Sequence, residues 1–215
     1  MISMAITHTS SPDATVSVEN GRDRILRVAA ELFLTGGYAE TSIRNIADAV
    51  EMRPASIYHH FSSKDALLAE ILDIGMDAVT TAFEAASEAT SGTASGLDRL
   101  EAHVGAHLQA LFAHHAFTAA HVTVFPFVPD AVRSTAVPQR DAYEAKWTAL
   151  LKSIAPGATP EALRLTRLAL FGAMNSSVQW FDSTESSSDE LATAIVTTLW
   201  YGLGALGSPI SEKAN

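Results

Sequence analysis

The chain has 215 residues, 47% of them hydrophobic, with no cysteine and a formal net charge of −10. That length supports one sizeable core, or a small module attached to a larger one, and the composition is that of a chain that buries a core rather than a disordered one. The missing cysteines exclude disulfides, thiolate catalysis and Cys-based zinc or iron–sulfur sites, and they fit a reducing, cytoplasmic setting.

Residues 1–20 carry no Lys or Arg and no continuous apolar run, so they predict a flexible N-terminal extension and not a signal peptide. Next, Ile25, Val28, Ala29, Leu32 and Phe33 recur at helical spacing and predict a helix over 22–35, stopped by Gly36 and Gly37. Ile43, Ile46, Ala47 and Val50 predict a second helix with Thr41 as N-cap. A third begins at Pro54, a residue suited to the first helical position, and buries Ile57 and Phe61. Ser62 and Asp65 have the spacing of a capping box, opening a long helix through Leu67, Leu68, Ile71, Leu72 and Met76 to about Ala86. After a small-residue loop at 88–96, helices are expected over 97–114, 116–127, 129–154, 160–181 and 188–203. No alternating strand pattern and no run long enough to span a membrane interrupts them. The expected fold class is all-α.

The net charge at first argues against a nucleic-acid partner, but it is uneven. Residues 1–65 hold six Lys/Arg and eight Asp/Glu, whereas residues 66–215 hold eight and sixteen. DNA affinity depends on local phosphate contacts, so an acidic remainder would repel DNA and leave one face attached.

The two short helices between Ser42 and Phe61, joined at Val50-Glu51-Met52, have the layout of a helix-turn-helix whose second helix enters the major groove. Helices this short do not persist alone, so the helix over 22–35 must complete their core. Arg44 sits in a first turn, where a cation opposes the helix dipole; a DNA phosphate would explain it.

Ala29-Ala30-Glu31-Leu32-Phe33, Gly37-Tyr38, Thr41 through Ala47, and Ser56 through Leu68 together resemble the TetR family of bacterial transcriptional regulators over roughly residues 22–72. The resemblance implies a homodimer that binds a pseudo-palindromic operator and usually represses transcription, released by a small ligand in the C-terminal domain. It implies phosphate contacts at Thr41, Arg44, Tyr58 and Lys64 and base-edge contacts within 53–59. Physics is compatible with each: Thr41 and Tyr58 offer hydroxyl donors, and Lys64 a charge at a helix N-terminus. Arg53 suits guanine, Ala55 a thymine methyl, and His59 or His60 could donate to phosphate or base. Ser42, Pro54 and Ser56 complete the expected DNA-facing set. Two positions depart from the family pattern. Glu51 stands where Gly is common, so a left-handed backbone is not expected there, and Arg53-Pro54 leaves the operator sequence open.

In the remainder, His103 and His107 are four apart and could share a helix face as metal ligands, but only Glu101 adds a carboxylate nearby. Pocket-lining or exposed histidines are the alternative, and no metal or cofactor is expected. The apolar, His-bearing segment 112–127 suggests a ligand cavity walled by His107, Leu111, His115, Val122, Phe125, Tyr143, Trp147, Met174, Asn175 and Gln179. Apolar stripes at Leu168, Phe171, Gly172 and Val178, and at Leu191, Ile195 and Leu199, suggest an isologous four-helix dimer interface. Residues 164–181 faintly resemble regulators of lipid and steroid catabolism, some of which sense acyl-CoA esters.

The expected organisation is an N-terminal extension over 1–20, a DNA-binding domain over 21–66 and a helical ligand-binding and dimerisation domain over 67–210. The expected function is a cytoplasmic, ligand-responsive repressor released from operator DNA by a small apolar or amphipathic effector. A constitutive DNA-binding regulator, or an enzyme using the apolar pocket, remain as alternatives, although no nucleophile–base constellation is visible.

Overall fold

The computed structural model describes residues 20–92 and 94–201, and every regular element among them is helical. The expected N-terminal extension lies outside the described residues, except for Asn20, and so does the end of the last helix beyond Tyr201.

Helix α1 (Gly21–Gly36) starts at Asn20, whose side chain accepts the Asp23 N–H, and ends as Gly37 takes φ 82°. Its inner face buries Ile25, Leu26, Ala29, Ala30 and Phe33. Helix α2 (Ile43–Ala49) is capped by Ser42 rather than by Thr41. Ser42 Oγ accepts the Asn45 N–H while the Asn45 side chain accepts the Ser42 N–H, which satisfies two end donors reciprocally. Helix α3 (Pro54–His60) has Pro at its first position and buries Ile57. Helix α4 (Lys64–Ala89) is capped by Ser63, one residue later than Ser62, and runs one turn past Ala86. Asp65, freed from the expected capping box, instead accepts the Tyr38 hydroxyl.

Helices α5 (Gly96–Ala113), α6 (His115–Thr123) and α7 (Asp130–Ile154) follow, with a 3₁₀ turn at Phe125–Phe127 before α7. Helix α8 (Pro160–Ser176) stops five residues short of the expected end and passes into a second 3₁₀ turn at Ser177–Gln179. Helix α9 (Ser188–Tyr201) completes the described chain.

Two apolar cores form, and they meet inside α4 rather than at its start. The first joins α1–α3 to Leu67, Leu68, Ile71 and Leu72 of α4, and also takes Ala120 of α6, Val124 and Phe125 after it, and Val132 and Ala136 of α7. The second gathers Met76, Val79 and Phe83 of α4 with α5, the later part of α7, α8 and α9 around fully buried Trp147. Gly75 lies between the two sets. A Cβ there would sit 2.6 Å from the Phe117 carbonyl oxygen, so α4 and α6 approach as closely as they do only because this residue is glycine.

Candidate functional site

Two surfaces and one cavity stand out. At the first surface, α3 turns Ile57 inward and leaves Arg53, Pro54, Ala55, Tyr58, His59 and His60 exposed, with Ser56 half-buried. Arg53 occupies the N-cap of α3 but makes no side-chain capping bond. On α2 and its cap, Ser42 and Arg44 are exposed; the Arg44 side chain is 85% accessible and only 4.0 Å from Asp48 at its nearest.

The turn between these helices corrects one expectation. Glu51 has φ 56°, in the left-handed region. Its N–H donates to Asp48 O (3.2 Å) and the Met52 N–H to Ala47 O (2.9 Å), the paired bonds that close a helix when the residue past its C-cap turns left-handed. The turn keeps the geometry glycine would adopt, without the glycine.

Thr41 and Lys64, expected to hold phosphates, are engaged within the fold. Thr41 is buried, and its hydroxyl donates to Gly37 O (2.8 Å), with Leu32 O at 3.2 Å. Lys64 Nζ donates to Tyr38 O (2.8 Å) and Thr41 O (3.0 Å) and lies 4.2 Å from the Tyr38 ring centroid. Together they fasten the loop between α1 and α2. Two further cations in this region serve structure. Arg22 makes a bidentate pair with Glu70 over the Phe61 ring, and Arg24 Nη2 donates to Val50 O (2.9 Å) at the end of α2. The sequence carries little signal for either, because their partners lie 48 and 26 residues away.

The cavity, about 100 Å³, lies within the second unit. Its walls are Gly75, Met76 and Val79 of α4, His107 and Leu111 of α5, Thr118, His121 and Val122 of α6, Arg140, Tyr143 and Glu144 of α7, and Phe171 and Asn175 of α8. Of the expected lining, His107, Leu111, Val122, Tyr143 and Asn175 are brought together. Trp147 and Met174 are wholly buried behind the wall, Phe125 belongs to the first core, and His115 and Gln179 are exposed elsewhere. The α4 residues, Thr118, His121, the pair Arg140–Glu144 and Phe171 line the cavity without belonging to the expected set. Arg140 and Glu144, four apart on an otherwise apolar helix face, were the available signal.

Inside the cavity, His107 Nδ1 lies 2.7 Å from the Tyr143 hydroxyl, and burial pushes the His107 pKa down to about 4. The Asn175 side chain opposes this by favouring the charged ring, a smaller effect than burial, and Nε2 makes no hydrogen bond. His121 Nε2 donates to Leu72 O (2.7 Å), tying α6 to α4, and burial lowers its pKa as well. Arg140 lies 3.5 Å from Glu144, which also pairs with Arg167 at 2.8 Å. His103 does not converge with His107: it bonds Arg99 O (2.6 Å) and Ser87 Oγ (2.8 Å).

The second surface is apolar. Leu165 and Leu168 on α8, with Leu199, Trp200 and Tyr201 on α9, are exposed, and a Cβ on Gly172 would meet nothing within 4 Å. Of the residues expected at an interface, Leu168, Gly172 and Leu199 face outward. Val178 and Leu191 are half-buried, Phe171 lines the cavity and Ile195 belongs to the core, so these last two are corrected to interior positions.

Comparison with known proteins gives matches over both units. Residues 25–71 match the family model described as bacterial regulatory proteins, tetR family, and residues 93–203 match a tetracyclin repressor-like C-terminal domain. The HTH-type transcriptional repressor KstR2 of Mycobacterium tuberculosis is 33% identical over 99 residues, 46% of this chain and 48% of that protein. The chain thus spans about half the length of the curated KstR2 relatives it matches. A TetR-family transcriptional regulator from Bordetella parapertussis superimposes with a TM-score of 0.78 at 26% identity, covering 89% of this chain and 100% of that one. For the regulator PfmR from Thermus thermophilus the TM-score is 0.73 at 27% identity, over 86% and 98% of the two chains.

Proposed function

The chain belongs to the TetR family of bacterial regulatory proteins, and from that premise we propose that it is a repressor. It binds a palindromic operator as a homodimer and is released by a small apolar or amphipathic effector held in the cavity. KstR2 is named a transcriptional repressor, which supports this reading and favours a regulator over an enzyme. No helix among the described residues is long and apolar enough to cross a membrane, and the reading places the protein beside the chromosome in the cytoplasm.

The observation that carries the proposal is the position of α6. It lines the cavity with Thr118, His121 and Val122, and one residue earlier buries Ala120 in the core of the reading head. The cavity is well below the roughly 300–1,000 Å³ of ordinary ligand pockets. A larger effector must therefore push α6 away from α4, and α6 carries that displacement to α1, against which it packs. In the dimer, α8 and α9 of each protomer meet through the faces that hold Leu168 and Leu199.

Binding of the purified full chain to DNA from its own upstream region, followed by fluorescence anisotropy and footprinting, tests the reading. A dyad-symmetric footprint that Arg53→Ala abolishes is expected. Normal operator binding by Arg53→Ala would overturn the assignment of Arg53 as a base reader, and an asymmetric, sequence-independent footprint would overturn the repressor reading.

A further inference from the structure

We propose that the cavity selects an uncharged apolar molecule carrying a hydroxyl group, in preference to an anion, a cation or a plain hydrocarbon. The inference rests on reading the cavity as the effector site.

Three residues of the cavity wall each bury a side-chain nitrogen that makes no hydrogen bond: His107 Nε2, His121 Nδ1 and Arg140 Nε. Arg140 Nε has Glu144 Oε1 at 3.5 Å and His107 has the Asn175 side chain beside it, so His121 Nδ1 is the atom that calls for an occupant able to serve it. Their proton states follow from their other bonds. The Leu72 carbonyl can only accept, so the His121 proton sits on Nε2 and Nδ1 presents a bare lone pair. A lone pair needs a donor, which a hydroxyl supplies and a carboxylate, phosphate or ester oxygen does not. His107 is more adaptable. A tyrosine hydroxyl can give or take the hydrogen bond at Nδ1, so Nε2 can accept from a hydroxyl or donate to its oxygen.

Charge argues the same way. Arg140 is flanked by Asp141 at 3.3 Å and Glu144 at 3.5 Å, and Glu144 is held by Arg167. An incoming anion would meet Glu144 and the His121 lone pair; an incoming cation would meet Arg140. A neutral molecule meets neither penalty. The rest of the wall, including Met76, Val79, Leu111 and Phe171, is apolar and suits a hydrocarbon body. At about 100 Å³ the cavity is tighter than the roughly 150 Å³ that accepts benzene, so even a single-ring molecule enters by moving α6 away from α4.

The test titrates the full-length protein, observed by NMR, with three probes of one ring size: cyclohexanol, methylcyclohexane and cyclohexanecarboxylate. Cyclohexanol is expected to bind at least about tenfold more tightly than either of the others, and His121→Phe should erase that preference while methylcyclohexane binding persists. Equal binding of cyclohexanol and methylcyclohexane, or tightest binding of the carboxylate, would overturn the proposal while leaving the effector site in place. If none of the three perturbs cavity resonances, the cavity holds only water and the effector-site reading itself fails. The ranking on the unmodified protein decides the matter even where His121→Phe does not fold.

Discussion

At Glu51 the chain adopts φ 56°, a conformation that costs an L-residue about 1–2 kcal/mol relative to glycine's freedom there. The sequence offers no glycine at this point, so a left-handed turn was not legible. What imposes it is the pair of bonds from the Glu51 and Met52 N–H groups to the end of α2. Glu51→Gly is therefore expected to raise unfolding stability by about 0.5–1 kcal/mol, since glycine's greater entropy in the unfolded chain returns part of the gain. Urea denaturation with an unchanged m-value would show it; a loss of stability would mean that the Glu51 side chain contributes a contact of its own.

His107 gives a second prediction at the scale of one residue. Its folded pKa of about 4 lies below the ordinary 6.5, so below pH 6.5 the unfolded chain binds more protons than the folded one. Stability from this group is intact above pH 6.5 and lost as pH falls toward 4, by up to about 3 kcal/mol. Thermal melts between pH 7.5 and 4.5 should steepen below 6.5, and His107→Gln should flatten that slope. An unchanged slope in the variant would assign the acid sensitivity to other groups. The histidine itself was legible as a cavity residue, because it shares a stripe with Leu111 and Val104 on α5; its partner Tyr143 was named with it but 36 residues away, and only packing brings them together.

Among the elements, α6 shows most clearly where sequence pattern stops being informative. Nine residues, His115–Thr123, read as a short apolar helix, and so they are. Pattern cannot say that this helix divides its side chains between two cores, because both neighbours are apolar and a hydrophobic stripe does not name its partner. The helix caps were legible to within one residue, Thr41 for Ser42 and Ser62 for Ser63, because adjacent hydroxyl residues compete for the role and only backbone geometry decides. The resemblance, and not the cap pattern, puts Thr41 on the DNA side, whereas its side chain is buried. The closest contact of α6 supplies its test. Gly75→Ala would place a methyl group 2.6 Å from the Phe117 carbonyl oxygen and 2.8 Å from its carbon, so α6 must shift from α4. Overpacking of this kind costs about 1–3 kcal/mol. The variant should melt lower and bind operator more weakly without any effector, as though partly induced. Operator affinity equal to that of the unmodified protein, in a variant confirmed to be destabilised, would uncouple α6 from the reading head.

On the scale of the whole molecule, charge and symmetry have to be considered together. The chain carries −10 overall, and most cations near the reading surface are engaged within the fold: Arg22 with Glu70, Arg24 on Val50 O, Arg27 with Glu31, Lys64 on two loop carbonyls. Arg44 and Arg53 remain as the exposed cations of α2 and the α3 cap. Two such cations per head are too few for tight binding by one copy, so in the proposed dimer affinity comes from two heads held at a fixed spacing by the α8–α9 faces. Since log K falls with log salt at roughly 0.9 per phosphate neutralised, a dimer with these four cations should show a slope of at most about −4. Arg44→Ala, removing one phosphate contact per head, should make that slope shallower by about 2 without changing operator preference. Leu168→Glu should instead yield monomers by sedimentation and remove specific binding altogether, because each head alone is left with the weak, salt-sensitive half. If Arg44→Ala leaves the slope untouched, the phosphate contacts lie elsewhere on the head; if Leu168→Glu remains dimeric, the exposed leucines of α8 and α9 and Trp200 are not the surface that pairs the heads.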